Sequence, residues 1–476
     1  MSEATHFDFA ILGGGSAGYA AARTAVDLGL KTVIIDGAKE LGGLCILRGC
    51  MPSKTLIESA NRQLAIGHAE EFGLRVHSEQ PDTVSIRDRK RRLIAEFADY
   101  RKGQLEDGRF TLLRGMGRFE NAEGHLLRIA VKMLDGSAQE ITSGTALIAT
   151  GSVVSVPSLP GLDECGYWTS DTILDAADIP DSFIVLGGGA IALEMAHFLN
   201  GIERKVTVLQ RNTQLLTGID ADVAEVVRTS FIKRGINVNC GTKLERVEKT
   251  VTGKRVVFFQ DGQRHIVEAS EILLALGRRP ALDNLGLKTC GIELARGGTI
   301  SVKPTQQTEH PAIFAAGDVC GPLEVVHLAI QQGEVAARNA AKLLHGKPLE
   351  HKMDYRCKLF GIFTQPEVAS VGLSETEARA QGLDFAVASY PFSDHGKSIV
   401  AGETDGFVKL IADAKNGVIL GGSVVGPHAT ELIHEIAVAM HLGATVAALA
   451  SAPHYHPTLS EIWTYPADEL VENLKK

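Results

Sequence analysis

Short apolar runs bounded by glycine alternate with amphipathic stretches over the first two thirds of the chain, a pattern that predicts strands joined by helices. Phe7 to Leu12, FDFAIL, reads as a buried strand, Tyr19 to Leu28 as a helix, and Lys31 to Ile35 as a second strand closed by Asp36. The same order returns with strands at Phe183 to Leu186 and Val206 to Leu209. Ala146 to Gly151, Ile272 to Pro280 and Ile313 to Val319 are further strand-like runs carrying glycine turns, and Ser152 to Gly161 is a proline-marked linker. From about Met353 the pattern changes to short β-type runs at Val368 to Val371, Ala386 to Tyr390, Phe407 to Ile411 and Val418 to Val425, with helices between them. Ser374 and Glu377 form a capping box for one such helix, and the region reads as an α+β domain with an antiparallel sheet. Ile433 to Ala452 reads as one packed helix, too polar at His434, Glu435 and His441 to span a bilayer.

Composition narrows the function classes. A chain of 476 residues has room for two to four domains, and 45% apolar with 22% charged residues is ordinary for a soluble protein. The net charge of −9 argues against a nucleic-acid partner. The locally basic run Arg87 to Lys102 has its apolar residues scattered among charges and reads as a solvated helix. Seven scattered cysteines do not make a secreted disulfide framework, so a reducing, cytoplasmic setting is expected. The opening MSEATHFDFAIL has no basic segment followed by a long apolar run, so no secretory leader is expected, and no membrane association.

The glycines after the two strand starts carry the first chemistry. Gly13, Gly15 and Gly18 spell GxGxxG directly after a strand and ahead of a helix, with Asp36 at the end of the following strand. That is the dinucleotide fingerprint: a tight turn, close backbone approach to a pyrophosphate, a helix N-terminus facing it, and an acid for the ribose. Gly187, Gly189 and Ala192 repeat it as GxGxxA, but the following strand ends in Gln210 and Arg211. The missing carboxylate removes a partner for a ribose 2′-hydroxyl, and Arg211 could instead face a 2′-phosphate, or simply be solvated. Asp318, at the end of another strand, is placed to meet a ligand hydroxyl, or alternatively to cap a helix beginning near Leu323.

The second chemistry is GLCILRGCMPSK, where Cys45 and Cys50 stand five positions apart just ahead of a helix expected to open at Pro52. Positions five apart on a regular helix diverge by roughly 140°, so a bridge between them needs an irregular turn. Gly42, Gly43 and Gly49 supply the means. A short strained disulfide loop is easily reduced, which suits a redox-active pair. No CxxC and no second Cys/His cluster accompanies the pair, so no metal site is expected.

With HYHPTLSE near the C-terminus, these motifs together resemble the class I pyridine nucleotide-disulfide oxidoreductases, which include dihydrolipoamide dehydrogenase, glutathione reductase and mercuric reductase. The resemblance runs essentially the whole length. It implies an α/β fold with two Rossmann-like dinucleotide-binding domains and a C-terminal α+β dimerisation domain: 1–153 for FAD, 154–280 for NAD(P), 281–350 returning to the FAD and central region, and 351–476 for dimerisation. Gly13, Gly15, Gly18 and Asp36 match the FAD site, Asp36 standing where relatives usually have Glu. Asp318, Arg278, Gly151 and Gly277 match cofactor positions, and Gly187, Gly189, Ala192 and Arg211 the NAD or NADP site. Lys54 and Glu194 match an ion pair beside the flavin ring. In the family's scheme a hydride passes between nicotinamide and flavin, and the flavin exchanges electrons with the disulfide. Cys50 would be the charge-transfer thiolate and Cys45 the interchange thiol that meets substrate. His456, taken alone as readily a turn histidine beside Pro457, matches the acid/base, Glu461 its orienting carboxylate, and His454 reads as structural. In this family the histidine comes from the partner subunit, so a homodimer is implied.

EVASVGLSETEA, GPHATELIHEIAVAM and His327 lean towards the dihydrolipoamide dehydrogenase branch, with a lipoyl-type or other small disulfide as substrate and docking into a larger dehydrogenase complex left open. Gln210 and Gln365 depart from that branch. An NADPH-dependent reductase of glutathione-reductase type, supported by Arg211 and Arg23, is the main alternative. Mercuric reductase fits less well, because the C-terminal VENLKK holds no cysteine pair. A flavoprotein subunit or redox sensor without catalysis is the reading from another class.

Overall fold

The computed structural model describes residues 4–77, 80–123 and 126–475; Met1–Glu3, the start of the stretch read above for a leader, lie outside the described residues. The chain forms two compact units, each built from separated segments. The first comprises Met1–Pro52, Asp88–Ser155 and Arg278–Asp354, and the second Ser53–Arg87, Val156–Gly277 and Tyr355–Lys476.

In the first unit Thr5–Leu12 is a central strand, paired in parallel with Thr32–Ile35 on one side and Ala138–Ile148 on the other. Thr111–Leu113 extends the sheet beyond Thr32–Ile35, and Ile313–Ala315 pairs in parallel with Ala138–Ile148. Leu126–Met133 and Gly115–Glu123 add an antiparallel end. Both faces of the central strand are buried: Phe9 and Ile11 enter one core, Ala10 and Leu12 the other. This is why FDFAIL reads as a continuous apolar run rather than an alternating one. Helix Ser16–Asp27 packs on one face beside helix Val326–Leu344.

The second unit holds a parallel sheet in the order Asn237–Cys240, Lys205–Gln210, Ser182–Leu186, Glu271–Leu274, Trp168–Thr169. It also holds the antiparallel sheet expected near the C-terminus, Leu359–Ile362, Glu367–Gly372, Ile419–Gly426, Phe407–Asp413 and Phe385–Pro391. Ile362, Val368 and Val425 of the antiparallel sheet share a core with Val208 of the parallel one and with Leu193 and Phe198 of helix Ala190–Gly201. The Ser374 capping box is formed, with Glu377 N–H donating to Ser374 Oγ and Ser374 N–H to the Glu377 carboxylate. Fully buried Lys409 meets Asp220, Asp222 and Glu375 at 2.9–3.0 Å, tying helices Ala221–Lys233 and Glu375–Ala380 to strand Phe407–Asp413.

Four local expectations are corrected. Helix Cys50–Gly67 begins two residues before Pro52, because a proline in the first turn occupies a position whose N–H has no helical acceptor. The run from Ile433 is two helices, Ala429–His441 and Val446–Ser451, divided at left-handed Gly443. Ile272 to Pro280 is two strands: Glu271–Leu274, and Arg278–Pro280, which pairs antiparallel with Ser152–Val154 from the supposed linker. The basic helix, Thr83–Leu105, is not wholly solvated, because Lys90, Ile94 and Leu105 lie buried on one face.

Candidate functional site

In the first unit, the turn from strand Thr5–Leu12 into helix Ser16–Asp27 is dictated by glycine. At Gly13 φ is +105°, and an added Cβ would lie 2.3 Å from the Ala149 carbonyl oxygen, so no other residue fits. The helix N-terminus at Gly15 has no side-chain cap, leaving its N–H groups for a ligand. Asp36 turns back onto this turn, accepting from Gly14 N–H at 2.9 Å and Ala38 N–H at 2.8 Å. The two bonds leave lone pairs on the carboxylate for a hydroxyl.

Gly43 packs directly against this turn. A Cβ there would lie 2.8 Å from the Gly15 Cα, so the cysteine segment sits on the fingerprint itself. Cys45 lies in the short helix Leu44–Leu47, Arg48 and Gly49 break the path, and Cys50 heads the next helix. The irregular turn expected between them is therefore present. Both sulfur-bearing residues line one cavity of about 430 Å³ together with Gly13, Asp36, Gly151 and Asp318.

Asp318 does not cap a helix, since the next one begins at Val326 without a side-chain cap. Its carboxylate instead accepts from Ser152 Oγ at 2.5 Å, and Arg278 donates from Nε to Ser152 Oγ and from Nη2 to the Ser152 carbonyl, both at 2.8 Å. Ser152 thus joins two residues read separately in the sequence. Its signal was invisible because it depends on the pairing of Ser152–Val154 with Arg278–Pro280. Glu324 also lines the cavity, its carboxyl raised by desolvation and by the Asp318 carboxylate.

The second fingerprint repeats the first. Gly187, at φ +118°, would place a Cβ 2.3 Å from the Ala275 carbonyl oxygen, and the helix Ala190–Gly201 is likewise uncapped at Gly189. Ala192 lies within that helix, fully buried, and Gly277 is left-handed at the end of the same unit's strand segment. Gln210 lies against Gly188 as Asp36 lies against Gly14. Its amide is consumed locally: Oε1 accepts from Arg211 N–H at 3.0 Å and Nε2 donates to the Gln214 carbonyl at 3.2 Å. Arg211 is exposed.

Two further groups lie in the second unit. Lys54 Nζ meets both Glu194 oxygens at 2.9 and 2.8 Å, and Phe363 N–H donates to the same carboxylate at 3.1 Å. His456 Nδ1 lies 3.1 and 2.9 Å from the Glu461 oxygens; the imidazole is exposed and the carboxylate buried. His454 has its own acid, Glu435, at 2.6 Å; burial lowers its pKa, but the hydrogen bonds to Glu435 and to the Ala452 carbonyl, with the Glu435 charge, raise it overall. The sequence reading missed His395, which is fully buried with Nε2 3.4 Å from Glu461 and Nδ1 2.9 Å from Ser398 Oγ. Burial holds its pKa down. No local pattern marks it, because the contact joins two short helical segments distant in sequence.

Among the other cysteines, burial raises the thiol pKa of Cys165, Cys240 and Cys290, and pushes that of Cys320 up to about 12. These thiols stay protonated and unreactive near neutral pH.

Residues 7–333 match the family model described as pyridine nucleotide-disulphide oxidoreductase, and 360–467 match that family's dimerisation domain. The dihydrolipoyl dehydrogenase of Chlorobaculum tepidum is 36% identical over 464 residues, covering 96% of both chains. That of Chlamydia muridarum is 34% identical over 471 residues, covering 98% of this chain and 97% of the relative. Among solved structures, LpdA from Mycobacterium tuberculosis matches with a TM-score of 0.86 at 30% identity, covering 98% of this chain and 99% of that one. The flavoprotein disulfide reductase RclA from Escherichia coli matches at 0.83 and 25%, covering 98% and 99%. Among the described residues no helix is long and apolar enough to cross a membrane. An uncapped fingerprint helix, a cavity beside two cysteines and a second fingerprint suit FAD and a nicotinamide nucleotide, and the full-length matches agree: the chain belongs to the pyridine nucleotide-disulphide oxidoreductase family, as an FAD- and NAD(P)-dependent dithiol/disulfide oxidoreductase similar to dihydrolipoyl dehydrogenase.

Proposed function

We propose that this chain, as a cytoplasmic homodimer, exchanges electrons between NAD(P)(H) and a lipoyl-type dithiol through Cys45 and Cys50. The observation that carries the reading is that both cysteines line the same cavity as Gly13, Asp36, Gly151 and Asp318. Gly13, Gly15, Gly18 and Asp36, with Asp318 reached through Ser152 and Arg278, would hold FAD, and Gly187, Gly189 and Ala192 the nicotinamide nucleotide. Residues 1–153 and 281–350 are assigned to the flavin, 154–280 to the nicotinamide nucleotide and 351–476 to dimerisation. When bound, FAD supplies the two-electron link between nicotinamide and thiol.

The thiol half-reaction belongs to the chain's own residues. In the reducing direction the Cys45 thiolate attacks a substrate sulfur, forming a mixed disulfide, and the released thiolate takes a proton from the His456 imidazolium. The Cys50 thiolate then attacks the Cys45 sulfur of the mixed disulfide, releasing the second substrate sulfur as a thiolate that takes its proton from solvent. Cys45 and Cys50 are left as a disulfide and the substrate as a dithiol. Oxidation of a dithiol runs the same steps backwards. Steady-state assays of the purified protein test the reading: dihydrolipoamide with NAD or NADP, and a disulfide panel with NADH or NADPH. Turnover of dihydrolipoamide is expected. Turnover of a peptide disulfide instead would select a second reading, an NADPH-dependent disulfide reductase, which the neutral Gln210 and the exposed Arg211 favour.

The nucleotide preference has its own test. Gln210 is a neutral amide folded back on the chain, so it does not itself repel a 2′-phosphate. Gln210→Glu introduces a carboxylate where Asp36 stands in the twin site, and is expected to raise the NADH to NADPH ratio of kcat/KM about tenfold, or about 1.4 kcal/mol. An unchanged ratio would mean that this position does not read the ribose.

A further inference from the structure

One turn beyond Glu194 on helix Ala190–Gly201 lies a fully buried histidine, His197. Its ring nitrogens have unlike partners: Arg234 Nη1 is 3.0 Å from Nδ1, and Asn61 Oδ1 is 2.7 Å from Nε2. A guanidinium only donates, so Nδ1 carries the lone pair and Nε2 the proton given to Asn61. Burial and the Arg234 charge hold the pKa of His197 well below its ordinary value, which keeps this tautomer neutral. Arg234 also donates from Nε and Nη2 to Asn200 Oδ1, at 3.1 and 2.9 Å, and from Nη1 to the Gln365 carbonyl at 3.1 Å. All these acceptors are neutral.

The contacts form a ladder between two helices. Lys54 and Asn61 stand two turns apart on one face of helix Cys50–Gly67, and Glu194 and His197 one turn apart on the facing helix. Lys54–Glu194 is the first rung and Asn61–His197 the second. Beyond them, Gly201 lets the helices touch, since a Cβ there would lie 2.6 Å from Ala60 Cβ. The segment 363–365 ties both rungs together, with Phe363 N–H on Glu194 and the Gln365 carbonyl on Arg234. Lys54 is 30% exposed against 7% for Glu194, so water competes for the lysine, and its placement depends on how firmly the carboxylate is held.

We propose that His197 is a positioning residue which, with Asn61 and Arg234, fixes the Lys54–Glu194 pair for the flavin half-reaction. The inference rests on the family position of that pair. The test is a double-mutant cycle on the FAD-loaded protein, reading the flavin midpoint potential and the single-turnover rate of flavin reduction by NAD(P)H. His197→Leu is expected to lower the potential and to slow reduction about tenfold, with the thiol half-reaction unchanged. His197→Gln, able to accept at one end of its amide and donate at the other, should restore the rate to within about twofold. Added to Lys54→Met, His197→Leu should cost nothing further. If His197→Leu does not fold, Asn61→Leu carries the same expectations. A folded variant with the parent potential and rate, or losses that simply add, overturns the proposal. If Lys54→Met itself changes neither readout, the role of the pair falls and the proposal with it; if Lys54→Met acts and His197→Leu does not, only the positioning role falls.

Discussion

Cys45→Ser is expected to abolish turnover of disulfide substrates while leaving FAD bound and still reducible by NAD(P)H. The hydroxyl fills the same place in helix Leu44–Leu47 but does not ionise near neutral pH, so the thiol assigned to open a substrate disulfide is lost. Burial holds Cys165, Cys240, Cys290 and Cys320 protonated, so none of these four is expected to substitute. Binding of the flavin should survive, since the turn at Gly13, the uncapped helix and the Asp36 contact do not involve the sulfur. Reductive titration gives a second readout. The parent should take up about four electrons per flavin and the variant about two, because only the parent carries a disulfide besides the flavin. Retained turnover with lipoamide would falsify the role given to Cys45, and two-electron uptake by the parent would make the pair inert.

What could be read from the sequence was what is decided locally. The demands at Gly13 and Gly187 come from φ and from a carbonyl that a Cβ would strike, so the glycine pattern carries its own structure. The strand ends that lead into these turns, Phe9 to Leu12 and Phe183 to Leu186, are apolar because both their faces are covered. The Ser374 capping box closes within four residues and could be read for the same reason. The break at Gly443 was missed because the stretches on both sides of it are equally apolar, so the pattern does not mark where one helix stops and the next begins.

Within the site, pairings across long separations were the part that spacing could not supply. Lys54 with Glu194 came from family resemblance, and nothing in the residues themselves brings positions 140 apart to 2.8 Å. Ser152 sat in a stretch read as linker, and its role appears only when the strand Arg278–Pro280 pairs back on it. His395 and His197 are each placed by packing of elements from different parts of the second unit, and both take their chemistry from burial, which composition does not report.

His456→Ala is expected to slow the thiol half-reaction by about 10²-fold or more, the scale of a positioned acid/base, with flavin reduction by NAD(P)H unaffected. Glu461 takes Nδ1 of the imidazole with both oxygens, so Nε2 is the nitrogen left to hold and return the thiol proton. The carboxylate is buried and fixed while the ring is 77% exposed, an arrangement that anchors one side of the imidazole and leaves the other open to a second surface. If that surface is a second copy, joined through the dimerisation region 360–467, then Cys45 of one subunit works with His456 of the partner subunit. Mixing separates this from a site within one chain. Cys45→Ser dimers should be inactive and His456→Ala dimers nearly so, but a hybrid holds one complete site, made of Cys45 from one subunit and His456 from the other. Random reassembly makes about half the dimers hybrid with one of two sites intact, so about a quarter of the parent activity should return. Hybrids without activity would place the histidine and the cysteines of one site in the same chain.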